Sequence, residues 1–316
     1  MLKFILQRLL ILIPTLLGVI LIVFFVMSLT PSSPGRIMLG INATQQEVDK
    51  IDNELHFHDP FLIKYGRYVI DAFQGNFGKS FITGQPVFDD IILRFPTSLK
   101  LTIACTIGGA LIGIPLGILS AVKQYSVADY ISVIAAMLLS AIPGFWFGLL
   151  LLLLFSLKLG WLPTSGIGEA GGGLTNIKYF IMPVMTLVLP SAGGLLRMTR
   201  STMLETIRED YIRTARAKGA PERDVIWGHA LQNALLPVIT IIGMGFGLTL
   251  GGTILVESIF GMPGLGNLIL TSIRSKDTMQ VMADTIFLAS FFMIVMLIVD
   301  VIYAYVDPRL KARFSK

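Results

Sequence analysis

Six apolar runs separated by polar stretches organise this chain, at about residues 9–29, 98–122, 130–157, 179–196, 235–256 and 281–306. The first is apolar for 21 residues, enough at about 1.5 Å per residue to cross a hydrocarbon core of about 30 Å. It ends in LTPSSPG without a small-residue cleavage site, so it reads as a retained span rather than a signal peptide. The pattern predicts an all-α integral membrane protein, with six transmembrane helices in a single transmembrane domain over 1–316. Two polar stretches stand out. Residues 30–97 form a long loop, in which Leu62, Tyr65, Val69 and Phe73 recur at helical spacing and predict a small packed helix. Residues 197–234 form a second, densely charged interruption.

That second loop carries seven Lys/Arg and five Asp/Glu between Arg197 and Asn233. Met203, Ile207, Tyr211 and Ala215, with Leu204 and Ile212 alongside, make one apolar stripe, and Glu205, Arg208, Glu209, Arg213 and Arg216 occupy the opposite face. Gly219 then suits a left-handed helix cap and Pro221 the first turn of a new helix, which carries Val225, Ile226 and Trp227 toward His229. The expected shape is helix, Gly-Ala-Pro corner, helix, with the corner projecting from the membrane.

Composition makes the bilayer the solvent. The chain is 54% hydrophobic and 14% charged, against about 25% charged in soluble domains. Its net charge of +5 is too small and scattered to argue for nucleic acid. The Lys and Arg residues are informative by position. Fourteen fall on the side of both termini and the 197–234 loop, and four in the short loops opposite (Lys158, Lys178, Arg274, Lys276). That asymmetry places both termini and the charged loop in the cytoplasm, and residues 30–97 outside.

Within the spans, Gly109, Gly113 and Gly117 recur every four residues, as do Gly243, Gly247 and Gly251. Such stripes let helix backbones approach closely, within this chain or against a partner subunit. Pro14, Pro115, Pro143, Pro183 and Pro190 are expected to bend their helices.

Little chemistry is on offer. Gly75 to Ser80 reads GNFGKS, but a phosphate loop needs a glycine where Phe73 stands. His56, His58 and His229 all lie in loops, so an intramembrane hydrolase has no base. His56 and His58, beside Asp59, lack a clear third ligand for a metal. Cys105 is the single cysteine, which excludes an internal disulfide and a cysteine metal cluster. Asp300 is the one ionisable residue clearly inside a span, as a structural partner or a proton relay. No catalytic residue, metal site or cofactor is expected.

The charged loop resembles the coupling loop of permease subunits in bacterial ABC importers. The general pattern is E-A-A, three residues, G, nine residues, then I-x-L-P. Here Arg213-Thr214-Ala215, Gly219 and His229-Ala230-Leu231-Gln232 keep the Ala, the Gly and the Leu at the right spacing but not the Glu, Ile or Pro. The departures resemble the peptide and nickel branch, which reads Y-x-x-T-A-x-x-K-G and then H-x-L-x-N-x-x-x-P. Tyr211, Thr214, Ala215, Lys218 and Gly219 fit the first part, and His229, Leu231, Asn233 and Pro237 the second. Arg8 with Ile13-Pro14-Thr15, Phe77-Gly78-x-Ser80, Glu257 to Phe260 before Pro263 to Gly266, and Asp300 with Asp307-Pro308-Arg309 agree as well.

The resemblance implies a division of labour. A second homologous permease, usually a different one, would complete the path. Two cytoplasmic ATPase subunits would dock on Tyr211, Thr214, Ala215, Lys218, Gly219, Pro221, His229, Asn233 and Pro237. An extracytoplasmic binding protein would deliver dipeptides or oligopeptides to this subunit in the lipid of a bacterial inner membrane. Nickel, a metal–chelator complex or glutathione is the alternative cargo. A self-powered secondary carrier is the rival of a different class, and would transport when reconstituted alone. A membrane enzyme is disfavoured by the missing base and metal ligands. No substrate-binding residue is marked by the sequence.

Overall fold

The structure is a computed structural model that describes residues 2–29, 33–169 and 176–306. Its helices, in chain order, are α1 (Leu2–Ser28), α2 (Pro34–Leu39), α3 (Gln45–Glu54), α4 (Phe61–Phe73), α5 (Val87–Val122), α6 (Val127–Ala141) and α7 (Gly144–Leu151). There follow α8 (Ile177–Ile207), α9 (Asp210–Ala217), α10 (Glu222–Asp224), α11 (Leu231–Ile259), α12 (Leu265–Ser275) and α13 (Thr278–Val306). Wider π-helical turns extend α7 over Leu152–Lys158 and precede α11 over Val225–Ala230. Five described helices are long and apolar enough to cross a membrane, and α6 with the extended α7 makes a sixth crossing if that bent pair is one span. The side chain of Arg8 and the Asp307-Pro308-Arg309 ending lie outside what the structure describes.

The third apolar run, expected as one helix over 130–157, is two helices bent by 95°. Pro143 causes the break. It has no N–H to donate, and its ring drives the preceding residue out of the helical region, so Ile142 is extended at φ −77°, ψ 125°. α5 begins eleven residues before the apolar run that announced it. Val87, Ile91 and Phe95, four apart, pack on Leu265, Leu268 and Ala283, while Asp89 and Asp90 favour the positive end of the helix dipole.

The chain divides into two compact units. One comprises, among the described residues, 2–29, 33–98 and 263–294. In it Ile20 of α1, Tyr68 of α4, and Met282 and Ile286 of α13 form a buried cluster. Thr44 and Glu47 cap α3 reciprocally, the Thr44 N–H donating to Glu47 Oε2 at 2.9 Å. The GNFGKS segment is a tie rather than a cradle. Buried Ser80 donates its hydroxyl to Asp277 at 2.5 Å, and the Phe81 N–H donates to the same carboxylate at 3.2 Å. The Pro263 to Gly266 segment is held likewise, the Leu265 N–H donating to Ser98 Oγ at 2.8 Å. The helix expected around Leu62, Tyr65, Val69 and Phe73 is α4. Its packed side is Tyr65, Tyr68 and Val69, whereas Leu62 and Phe73 are exposed.

The other unit comprises, among the described residues, 99–169, 176–262 and 295–306. The first glycine stripe lies against α8. A Cβ on Gly113 would stand 2.6 Å from the Ala192 carbonyl oxygen, and one on Gly117 2.7 Å from that of Leu196. Backbone meets backbone there, so nothing can yield. Of the second stripe, Gly243 abuts Val299, while Gly251 has nothing within 4 Å of its added Cβ. Gly113→Leu is expected to cost about 1–3 kcal/mol by overpacking, read as a lowered thermal unfolding midpoint in detergent; Gly251→Leu should change it little.

Candidate functional site

The charged loop folds onto the ends of α5 and α8 as a small core. Ile118 and Ala121 of α5, Met203 of α8, Ile212 of α9, and Val225, Ile226, Ala230 and Ala234 on the way into α11 are all buried together. The continuous helix expected from Met203 to Ala215 is interrupted. α8 stops at Ile207, Glu209 is extended at φ −66°, ψ 149°, and α9 restarts at Asp210. The break leaves Arg208, Glu209 and Asp210 in water. It also changes the stripe: Ile212 takes the core position and Tyr211 faces out.

After α9 the backbone turns at Gly219, whose φ is +78°. The Gly219 N–H donates to the Arg216 carbonyl at 3.0 Å, and the Ala220 N–H to the Ala215 carbonyl at 3.2 Å. That pair of bonds is the Schellman arrangement, and Ala215 and Ala220 both pack on the small core, as it requires. Pro221, expected in the first turn of a helix, is instead the N-cap of α10 with ψ 143°. Its ring fixes φ for the exit from the corner. Across the corner Arg216 grips Glu222 with two bonds, of 3.1 and 2.7 Å, and this pushes the guanidinium's pKa further up. Both side chains are solvent-exposed, so the pair shapes the corner more than it stabilises it.

The residues singled out by sequence assemble in part. Asn233 donates to Tyr211 Oη at 2.9 Å and to the His229 carbonyl at 3.1 Å, tying α9 to α11. Thr214 bonds back to the Asp210 carbonyl at 2.9 Å. Ala215 faces the small core, whereas Tyr211, Thr214, Lys218, Gly219, Pro221 and His229 present an exposed surface around the corner. Pro237 lies farther along, exposed within α11. Trp227 adds a half-exposed indole to the same segment.

Sequence reading missed the clamp that holds this region to the spans. Arg200 of α8 donates from Nε to Asp129 Oδ1 at 2.7 Å and from an Nη to Oδ2 at 2.9 Å. Asp129, buried at the start of α6, also accepts from Ser120 Oγ of α5 and, at 2.9 Å, from the Tyr125 N–H. One carboxylate thus fastens three helices. Ser126, three residues before Asp129, signals a helix start, but nothing local announces a partner 71 residues on. A cavity of about 320 Å³ lies between α5, α8 and α11, with Thr106, Ser191 and Thr249 among mostly apolar walls.

Residues 113–312 match the family described as binding-protein-dependent transport system inner membrane component, and residues 1–102 match its N-terminal companion. The chain belongs to this permease family. It is a multi-pass membrane subunit of an ABC importer in the peptide and nickel branch, a transport protein and not an enzyme. It is 39% identical over 315 residues to the oligopeptide transport system permease protein AppB of Bacillus subtilis, covering 98% of this chain and 100% of that one. It is 36% identical to the dipeptide transport system permease protein DppB of Alkalihalophilus pseudofirmus, with the same coverages. It is 38% identical to the glutathione transport system permease protein GsiC of Salmonella paratyphi A, over 98% of this permease and 99% of that one. The fold is shared with a chain of the MetNI methionine ABC transporter in inward-facing form. The TM-score is 0.58 at 17% identity, over 70% of this permease and 98% of that chain.

Proposed function

We propose that this permease forms one side of the solute path of an ATP-driven importer of dipeptides or oligopeptides, and that separate ATPase subunits drive it through the corner at Gly219. The observation that carries this reading is the corner itself. A rigid turn, braced by the Schellman bonds and by the tie between Asn233 and Tyr211, presents Lys218, Gly219 and Pro221 to solvent. A turn so braced transmits a push to α5, α8 and α11 instead of absorbing it. The Lys and Arg asymmetry supports a cytoplasmic position for the corner and both termini, in the inner membrane. A binding protein outside would supply the solute and a second permease would close the path.

The names of the similar permeases support peptide cargo, and glutathione, itself a peptide, is supported on the same footing by the Salmonella relative. The cavity's hydroxyls suit backbone amides and include no charged group to select a side chain. Reconstitution tests the reading. Proteoliposomes holding the two permeases and the ATPases should accumulate a radiolabelled tripeptide when ATP and the binding protein are supplied. Vesicles holding this chain alone should not. Uphill uptake by the lone chain would make it a self-powered carrier and overturn the proposal.

A further inference from the structure

Helix α4 is apolar on two sides. One side packs on α1: Phe24 meets the rings of Phe61 and Tyr65 edge-on at 5.3 and 6.0 Å. Tyr65 also donates its hydroxyl to the Leu17 carbonyl at 3.0 Å. The opposite side carries Leu62, Ile63, Ile70 and Phe73, which are 74%, 53%, 59% and 63% exposed. Spaced by one, seven and three residues, they share one helix face with Gly66 at its centre. The charged residues stand aside. Lys64 is bonded to the Phe57 carbonyl at 2.8 Å and Arg67 to Asp59 at 2.8 Å, so both are drawn to the turn before α4.

Four large apolar side chains on one face of a 13-residue helix are too many to leave in water. Their position says what covers them. α1 is long and apolar enough to cross a bilayer, and it leaves Leu21, Ile22, Phe25 and Val26 exposed. Phe25 meets the Phe61 ring edge-on at 6.2 Å, so α4 lies alongside the apolar stretch of α1, with its exposed face turned to the side. Leu17, which Tyr65 reaches, lies about 16 Å back along α1 from its end at Ser28, near the middle of the apolar stretch Leu10–Ser28.

We propose that α4 is embedded beside α1 in the leaflet that holds the C-terminal end of α1, with Leu62, Ile63, Ile70 and Phe73 against lipid acyl chains. At about 20 Å the helix is too short to cross. Its face would bury itself in the manner of an interfacial amphipathic helix, anchored by protein on its other side. The loop between the first two spans is thereby held to the membrane rather than free above it.

Depth-dependent quenching tests this. Bimane is attached to cysteine in the Ile70→Cys and Phe73→Cys variants, prepared separately in a Cys105→Ser background. The full-length chain is reconstituted in phosphatidylethanolamine–phosphatidylglycerol vesicles with the subunits that co-purify with it. Ile22→Cys on α1 serves as the lipid reference and Lys50→Cys on α3 as the aqueous one. Both α4 positions should be quenched by nitroxide on the lipid acyl chains about as strongly as position 22, and weakly by iodide. Strong iodide quenching with weak acyl quenching would place the face in water and overturn the proposal. Protection from both quenchers would mean a protein subunit covers it, and would overturn it equally.

Discussion

Gly219→Val is expected to cut ATP-driven uptake about tenfold or more while leaving the chain folded and inserted. The backbone at Gly219 has a φ of +78°, a left-handed conformation that costs a residue with a Cβ about 1–2 kcal/mol, with the β-branched residues worst placed. Space is not the obstacle, since nothing lies within 4 Å of an added Cβ. The valine therefore strains the turn without wedging the core beneath it. Relief comes from opening the two bonds that link Gly219 and Ala220 to Arg216 and Ala215, which moves Lys218 and Pro221. Uptake in proteoliposomes should fall about tenfold or more, equivalent to about 1.4 kcal/mol in the coupled step. Expression and the unfolding midpoint should stay near wild type. Gly219→Asn is the control, because asparagine tolerates the left-handed region and should keep most of the activity. Full uptake by the valine variant would show that the shape of this corner is not used.

Asp129→Ala should do its damage through stability. The substitution leaves the partly buried Arg200 guanidinium without its carboxylate, and strips Ser120 and the Tyr125 N–H of their acceptor. Asp129 is buried but Arg200 keeps about a quarter of its side chain exposed, so removing the carboxylate should cost about 1–3 kcal/mol, less than for a fully buried pair. The unfolding midpoint of the detergent-solubilised permease should drop by several degrees, and uptake should fall with it. Arg200→Lys should fall between alanine and wild type, since an ammonium keeps the charge but cannot reproduce the two-pronged grip. An unchanged midpoint in Asp129→Ala would mean the three helices are held by apolar packing alone.

These two sites differ in how far they could be read from residues. The corner was legible because its signals are local. A glycine that needs positive φ, a proline two residues on and a pattern of spaced motif residues all fall within one short stretch. What that stretch hid was the restart at Asp210. An uninterrupted four-residue stripe from Met203 to Ala215 fits a straight helix as well as it fits a broken one, and only the core under Ile212 decides between them. The clamp was illegible because Asp129 and Arg200 meet through folding, and a lone carboxylate at a helix start reads as an ordinary cap. Pro143 in the sequence predicts a bend but not a right-angle break, since proline fixes where a helix yields and packing fixes how far. α4 was expected from its spacing. Four positions at helical intervals cannot say which of them meets protein, and the structure assigns Tyr65 and Val69 to that side and Leu62 and Phe73 to the other.

Cross-linking from the corner reports on energy input most directly. A single cysteine in the Lys218→Cys variant, with Cys105→Ser removing the buried thiol, is treated with a short homobifunctional maleimide in the assembled transporter bearing cysteines along the ATPase surface. Position 218 should join to an ATPase subunit in high yield, with the yield changing when ATP is bound, and a maleimide that cannot cross the bilayer should reach it only from the cytoplasmic side. Labelling from outside the cell, or no adduct with the ATPase in any nucleotide state, would contradict the assignment of this corner as the place where ATP-driven motion enters the permease.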